Sequence, residues 1–377
     1  MERRIYADNA ATTRPSNVVA LEMARIALAF YGNPSSSHEE GRAAKEKLEE
    51  YRFRLAVCLD CEPNEIIFTS GATEGNNMVC LSFCSEACMI VKSSIEHASM
   101  FPTIYDELPV TPNGIIDLEK SYIVGDIWCL SVMTANNEIG TIQPVKEIGH
   151  ICATKARGIP FHTDATAAVG HIPVSFREIG AHYMTCSAHK FHGPRGIGIL
   201  VMKRNAETLS PLMYGGKQER DLRPGTENLP AVAGMTVALE ECVRNMDENM
   251  EKTARMRDRL IDGLLEIKGT VLNGDAKQRL PGNVNVSFDG IEGEALLTML
   301  DANGIAASAG SACHTGSKEP SHVLLAIGRT REQANAALRL SIDETNTDEE
   351  IDIIIRTVRE SVAYLRKFSP KWNESTL

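Results

Sequence analysis

A lysine in the stretch "MTCSAHKFHGPRGIGILVM" is the side chain of this chain best placed to form a covalent bond. Lys190 lies between small residues and a Gly/Pro turn, directly ahead of an apolar strand. Lysines usually ride on exposed helix faces. In a tight, ordered turn, desolvation lowers the ammonium pKa and makes the amine nucleophilic, as a Schiff-base lysine requires. Ser187 and His189 flank it as hydrogen-bond donors. A second stretch, "GIPFHTDATAAVGH", ends an apolar run at Asp164. In open α/β sheets ligands sit at the carboxyl ends of strands, where this carboxylate could meet one. Helix N-capping explains an aspartate there equally well.

The third stretch, "EIIFTSGATEGNNM", reads as a strand ending at Ser70, a small-residue turn over Gly71, Ala72 and Thr73, and a helix running on from Glu74. Backbone N–H groups at such a helix start form an anion site, although small residues also make ordinary turns. The three stretches together fit one ligand. Pyridoxal phosphate needs a phosphate cradle, an imine-forming lysine and an acid that keeps its pyridine nitrogen protonated. Residues 71–73, Lys190 and Asp164 supply these in turn. Outside that set stands Cys313, in the soft stretch "AASAGSACHTGSKEPSH". A free cysteine is usually a buried small hydrophobe, so this one is either incidental or reactive.

These residues must be positioned by a larger frame. Ser16 to Asp60 reads as two helices broken by "YGNPSSSHEEGR". The runs "EIIFTS", "ACMIVKSS", "IWCLSVM", "IPFHTDA" and "GIGILVM" read as strands with helices between several of them. That alternation predicts an α/β fold with a mostly parallel central sheet covered on both faces. Beyond it, Val237 to Ile267 reads as one long connecting helix, "NVNVSF" as a strand, "GEALLTMLDANG" as a helix closed by Gly304, and "TDEEIDIIIRTVRESVAYLRKF" as a capped amphipathic helix. The expected division is a large domain over 15–243 and a smaller α+β domain over 244–377, joined by residues 1–14.

The 377 residues are 43% hydrophobic and 24% charged, an ordinary globular composition. The net charge of -11 and the absence of a block of basic residues argue against a nucleic-acid partner. No apolar run approaches the ~20 residues of a membrane helix, and the N-terminus lacks a signal-peptide pattern, so a cytoplasmic location is expected. Ten cysteines in such a chain read as reduced thiols. The pairs Cys58/Cys61 and Cys84/Cys88 read as core or surface thiols, Cys58 being buried by its helix. No metal is expected.

The chain closely resembles the group I cysteine desulfurases of the fold-type I pyridoxal-phosphate enzymes. The resemblance runs through "YADNAATT", "GNPSSSHEEGR", "FTSGATEGNN", "EHAS", "ANNEIGTIQP", "FHTDA", "SAHKFHGPRGIG", "GGKQERDLRPGTEN", "GSACHTGSKEPSHVL" and "LRLSIDETNT", nearly the whole chain. It implies that Lys190 carries the cofactor, that Asp164 partners the pyridine nitrogen, and that His97 stacks on the ring and assists proton transfer. It implies that Asn137 bonds the cofactor's phenolic oxygen or the substrate, that Ala72, Thr73, Ser187 and His189 surround the phosphate, and that Arg339 clamps the substrate carboxylate. Thr226 would reach the phosphate of a neighbouring subunit, which makes a homodimer part of the site.

The implied reaction takes L-cysteine to L-alanine and leaves a persulfide on Cys313, which passes to a scaffold protein for iron-sulfur assembly or to a thiolation enzyme. A thiol of pKa ~8.5 is only slightly ionised at neutral pH, so His97 or His314 would help to deprotonate it. Ser308 to Pro320 is long enough to move its middle by roughly ten ångströms. Ala167, Asp343-Glu344, Arg14 and His314 depart from the family's usual residues. A selenocysteine lyase, another β-lyase or an aminotransferase is the alternative chemistry, and a non-catalytic sulfur carrier the alternative class.

Overall fold

The computed structural model describes residues 4–83, 89–101, 105–118, 127–154, 158–309, 319–370 and 372. After a short strand β1 (Ile5–Tyr6) come helices α1 (Asn17–Ala29) and α2 (Glu39–Leu59), capped by Ser16 and His38. A sheet then assembles from β2 (Ile66–Thr69), β3 (Met89–Ser93), β4 (Tyr105–Leu108), β5 (Ile127–Ser131), β6 (Phe161–Asp164), β7 (Tyr183–Ser187) and β8 (Gly198–Met202). Helices α3 (Ala72–Phe83), α4 (Val145–Thr154) and α5 (Phe176–Ile179) alternate with these strands.

The seven strands lie in the order β2-β8-β7-β6-β5-β3-β4. All neighbours are parallel except β8, which runs antiparallel to both β7 and β2. The expected mostly parallel sheet is therefore present, and burial on both faces explains why β2, β6 and β8 read as apolar runs rather than as alternations; the edge strand β4, YDEL, is exposed at three of its four residues and did not read as a strand. β7 was not legible as a strand because its sequence, YMTCS, is half polar; every one of its residues is nevertheless buried.

Val237 to Ile267 is not one helix. It belongs to α6 (Leu229–Arg244) and α7 (Met246–Leu265), which break at Asn245 (φ -104°, ψ 12°). Amphipathic periodicity continues across the break, which is why the pattern alone merges the two. The helix after β2 also starts at Ala72 rather than Glu74, two residues earlier. Cys58 is only half-buried on α2, and burial still pushes its thiol up to about 11. Among the described residues every cysteine is a free thiol.

A second core gathers around the three-stranded antiparallel sheet β12-β10-β9. Its elements are β9 (Thr270–Leu272), β10 (Asn283–Phe288), α8 (Gly293–Ala302), β11 (Ile305–Ala306), α9 (His322–Ala326), α10 (Arg331–Asn335), β12 (Ala337–Ser341) and α11 (Asp348–Arg366). Thr347 and Glu350 close a capping box at the start of α11. β1 pairs in parallel with β11, and Ile5 and Ala7 lie inside this second core. The N-terminal segment thus starts among C-terminal residues before crossing to the large sheet.

One segment is held against its backbone preference. Glu219, Arg220 and Asp221 are three consecutive non-glycine residues at φ 43°, 60° and 64°, a region L-residues disfavour. The Glu219 carboxylate fixes the run: it takes Arg52 Nη1 at 2.8 Å, Arg52 Nη2 at 2.7 Å and the Phe68 N–H at 2.9 Å, all buried.

Candidate active site

A cavity of about 680 Å³ opens between the two cores. Strand ends and the turns that follow them deliver its polar groups, as expected at the carboxyl edge of a parallel sheet. Ala72, Thr73, His97, Asn137, Asp164, Ser187, His189, Lys190 and Arg339 all line it. Thr226 does not; it is exposed, between the 219–221 run and α6. Cys313 and His314 lie outside the described residues, as do Cys84 and Cys88.

Lys190 ends a short 3₁₀ turn that follows β7. Its Nζ donates to the carbonyls of Ala10 at 2.6 Å and Ala11 at 2.9 Å. Its own carbonyl accepts from His171 Nε2 at 2.7 Å. Burial lowers the His171 pKa, which keeps this support neutral.

Asp164, the last residue of β6, is 4% exposed. Its Oδ1 accepts the Thr166 N–H at 2.9 Å, and its Oδ2 accepts from Asn76 Nδ2 at 2.7 Å. The capping alternative is thus partly real: the aspartate closes a turn, though no helix begins there, and it still faces the cavity.

Asn76 is spent in full. Its carbonyl takes the Thr185 hydroxyl at 2.5 Å, and its second N–H goes to Ser99 Oγ at 2.8 Å. Ser99 Oγ in turn lies 2.8 Å from His97 Nδ1, and the Ser99 backbone N–H points at the same nitrogen from 3.2 Å. An amide N–H can only donate, so Nδ1 is an acceptor and neutral His97 carries its proton on Nε2. A continuous line of hydrogen bonds therefore joins Asp164 to His97.

The residues fit pyridoxal phosphate on two observations. His189 Nδ1 is buried in the cavity wall with no hydrogen-bond partner among the described residues. Burial, together with the charges of Lys190 and Arg195, pushes its pKa down to about 4, so the ring is neutral. Next to it the N-terminus of α3 opens at Gly71, where an added Cβ would meet nothing nearer than Ser187 Oγ at 3.5 Å. A donor without a partner beside a roomy helix start matches the needs of a phosphate group.

Arg339, on β12, is 1% exposed. Its Nη2 pairs with Asp8 at 3.1 Å, its Nη1 reaches the Asn137 carbonyl at 3.3 Å, and its Nε is buried without a partner among the described residues. A buried guanidinium with one donor unspent suits a carboxylate ligand.

The departing pair Asp343-Glu344 also lines the cavity and answers to His192. His192 Nε2 is 3.3 Å from Glu344 Oε1 and 3.9 Å from Asp343 Oδ2, and Nδ1 bonds the Arg14 carbonyl at 3.0 Å. Burial opposes the charge, but the bond to Glu344 and the two carboxylates win and raise the His192 pKa to about 9. These three side chains are the one grouping among the described residues with metal-ligand spacing, and the imidazolium already balances their charge.

Sequence reasoning quoted the motifs that hold Asp8, Asn76 and Glu138 but gave those residues no role. Their signal was present: each is a polar residue inside a motif already singled out. What was missing was the pairing across the fold.

Residues 5–354 match the model of the aminotransferase class-V family. A cysteine desulfurase IscS of Methanosarcina thermophila is 42% identical over 98% of this chain and 94% of its own length. One from Clostridium botulinum is 40% identical over 99% and 98%. A solved NifS-like protein superposes with a TM-score of 0.88 at 35% identity, covering 96% of this chain and all of the other. The chain belongs to the class-V aminotransferase family of pyridoxal-phosphate enzymes. Within that family it falls with the cysteine desulfurases.

Proposed function

We propose that this cavity converts L-cysteine to L-alanine and that the sulfur leaves as a persulfide on Cys313. The observation that carries the reading is the convergence of Lys190, Asp164, His97 and Arg339 on one cavity from four separate stretches of chain. Pyridoxal phosphate, when bound, supplies an electron sink for charge developing at the substrate α-carbon.

The chain's own residues do the rest. Lys190 Nζ, held on two peptide carbonyls, is aimed into the cavity and can exchange a proton with the substrate. Asp164, fixed by Asn76 and Thr166, would partner the pyridine nitrogen. Ala72, Thr73, Ser187 and His189, which line the cavity, would hold the phosphate. Arg339 takes the substrate carboxylate, and Asn137, whose carbonyl already steadies Arg339, limits the substrate's orientation. Cys313 as thiolate forms a bond to the substrate sulfur while the carbon-sulfur bond breaks.

A homodimer in which Thr226 reaches the partner's phosphate is part of the same proposal, and the exposure of Thr226 supports it. The sulfur then passes to an acceptor protein, a scaffold for iron-sulfur assembly or a thiolation enzyme. Among the described residues no helix is long and apolar enough to cross a membrane, and action in the cytoplasm agrees with that.

Purified protein loaded with the cofactor and given cysteine and a reductant is expected to release alanine and sulfide in equal amounts. Cys313→Ala should abolish sulfide release. Full release by that variant, or amino-group transfer without sulfur loss, would overturn the reading.

A further inference from the structure

The cavity holds a carboxylate that the reaction described above leaves unused. Glu138 follows Asn137 in the chain and lines the same wall. Its backbone is fixed on both sides: the N–H goes to Asn136 Oδ1 at 2.8 Å, and the carbonyl accepts from Asn285 at 3.0 Å and Asn283 at 3.2 Å. The side chain is satisfied on one oxygen only. Oε2 accepts from Ser321 Oγ at 2.5 Å, the N-cap of α9, while Oε1 has no hydrogen-bond partner among the described residues.

An amino acid whose carboxylate lies on Arg339 places its ammonium group two bonds away. That ammonium must lose a proton before its nitrogen can act as a nucleophile. His97 is poorly suited to accept it, because its Nδ1 is occupied by the Ser99 N–H and its Nε2 carries hydrogen in the neutral ring. We propose that Glu138 is a further catalytic residue: Oε1 takes the ammonium proton of the amino acid bound at Arg339, an N–H bond breaking, an O–H bond forming and the electron pair staying on nitrogen. This rests on the reading above that the cavity binds an α-amino acid.

The energetics agree. Burial pushes the Glu138 carboxyl up to about 7, with the Ser321 bond and Arg339 pulling the other way. A free amino acid's ammonium has a pKa above the ~8 of a chain-terminal amine, so the transfer stays uphill, but by roughly 2 to 3 pKa units less than it would be to an ordinary glutamate. The titratable and charged groups on the elements packed around Glu138 are Arg339 on β12, Glu96 and His97 just after the turn that follows β3, and His322 on α9. Glu96 is itself pushed well up by burial and so adds little negative charge. His322 is committed to the Glu96 carbonyl at 2.9 Å.

The test uses the cofactor-loaded enzyme. Wild type should show an acid limb in kcat/KM for cysteine centred near pH 7. Glu138→Gln, which keeps an acceptor for Ser321, should lose about 100-fold in kcat/KM together with that limb. Glu138→Asp should keep a limb at reduced rate. Infrared difference spectra between pH 6 and 8 should show a protonated carboxyl band that vanishes in Glu138→Gln. A Glu138→Gln pH profile that superimposes on wild type, or an unchanged infrared band, overturns the proposal. Because the infrared measurement needs no turnover, it separates failure of this assignment from failure of the desulfurase reading.

Discussion

Arg339 and Asp8, 331 residues apart in the chain, form an ion pair at 3.1 Å beneath the cavity. The arginine side chain is 2% exposed and the aspartate side chain 22%. A cation this deeply buried needs a counter-charge, and the nearest one comes from the N-terminal segment rather than from its own sheet. That segment also supplies the carbonyls on Lys190. The first dozen residues thus brace both Arg339 and Lys190.

Asp8→Ala should leave Arg339 buried without its counter-ion. Breaking such a pair costs about 3 kcal/mol, the lower end of the usual range because Asp8 keeps some contact with water. Urea unfolding should show that loss. Saturating L-alanine, whose carboxylate would take the vacated place, should recover part of it; no recovery would count against Arg339 as a carboxylate clamp.

Asn76 is the one donor shared by Asp164 and Ser99. Asn76→Asp keeps its size and its acceptor for Thr185 but removes both N–H bonds and sets a like charge beside Asp164. Hydrogen bonds to charged groups are worth about 1.5–3 kcal/mol, so cofactor affinity should fall roughly 10- to 100-fold. Spectrophotometric titration of the apoenzyme with pyridoxal phosphate measures this. Nitrogen NMR of His97 in wild type should show hydrogen on Nε2.

His192 gives the stability a pH dependence of defined sign. Its pKa in the fold is about 9, above the unsupported value of 6.5. A raised histidine pKa stabilises fully below 6.5 and loses that contribution as pH climbs through 9. The contribution is at most about 3 kcal/mol. Melting temperature should therefore drop between pH 7 and pH 10, and Glu344→Gln should flatten the slope.

Most of the large sheet was readable because its inner strands are buried on both faces and separated by turns rich in glycine and small residues; the exposed edge strand β4 was not. β7 escaped because buried polar residues look like surface ones until their neighbours are known. The break at Asn245 escaped because a hydrophobic stripe can stay in phase across a single non-helical residue. At the site, Lys190, Asp164 and residues 71–73 were legible because each sits at a strand-to-turn junction where only a few residue types make chemical sense. Asp8, Asn76 and Glu138 were not, since the value of each lies in a partner far away in sequence: Arg339, Ser99 and Ser321. Conversely, Asp343 and Glu344 stood out as departures, and only the position of His192 shows what they balance.

The left-handed run at 219–221 sets the direction in which the Thr226 segment leaves the fold. Each such residue costs about 1 kcal/mol or more in isolation, so the run persists only while Glu219 stays locked to Arg52 and the Phe68 N–H. Glu219 works as the fulcrum of a lever whose short arm ends in the core, on α2 and the edge strand β2, and whose long arm ends at an exposed threonine. A substitution at Arg52, far from any reacting atom, would thereby re-aim a surface turn, so that a contact in the interior governs what the surface presents.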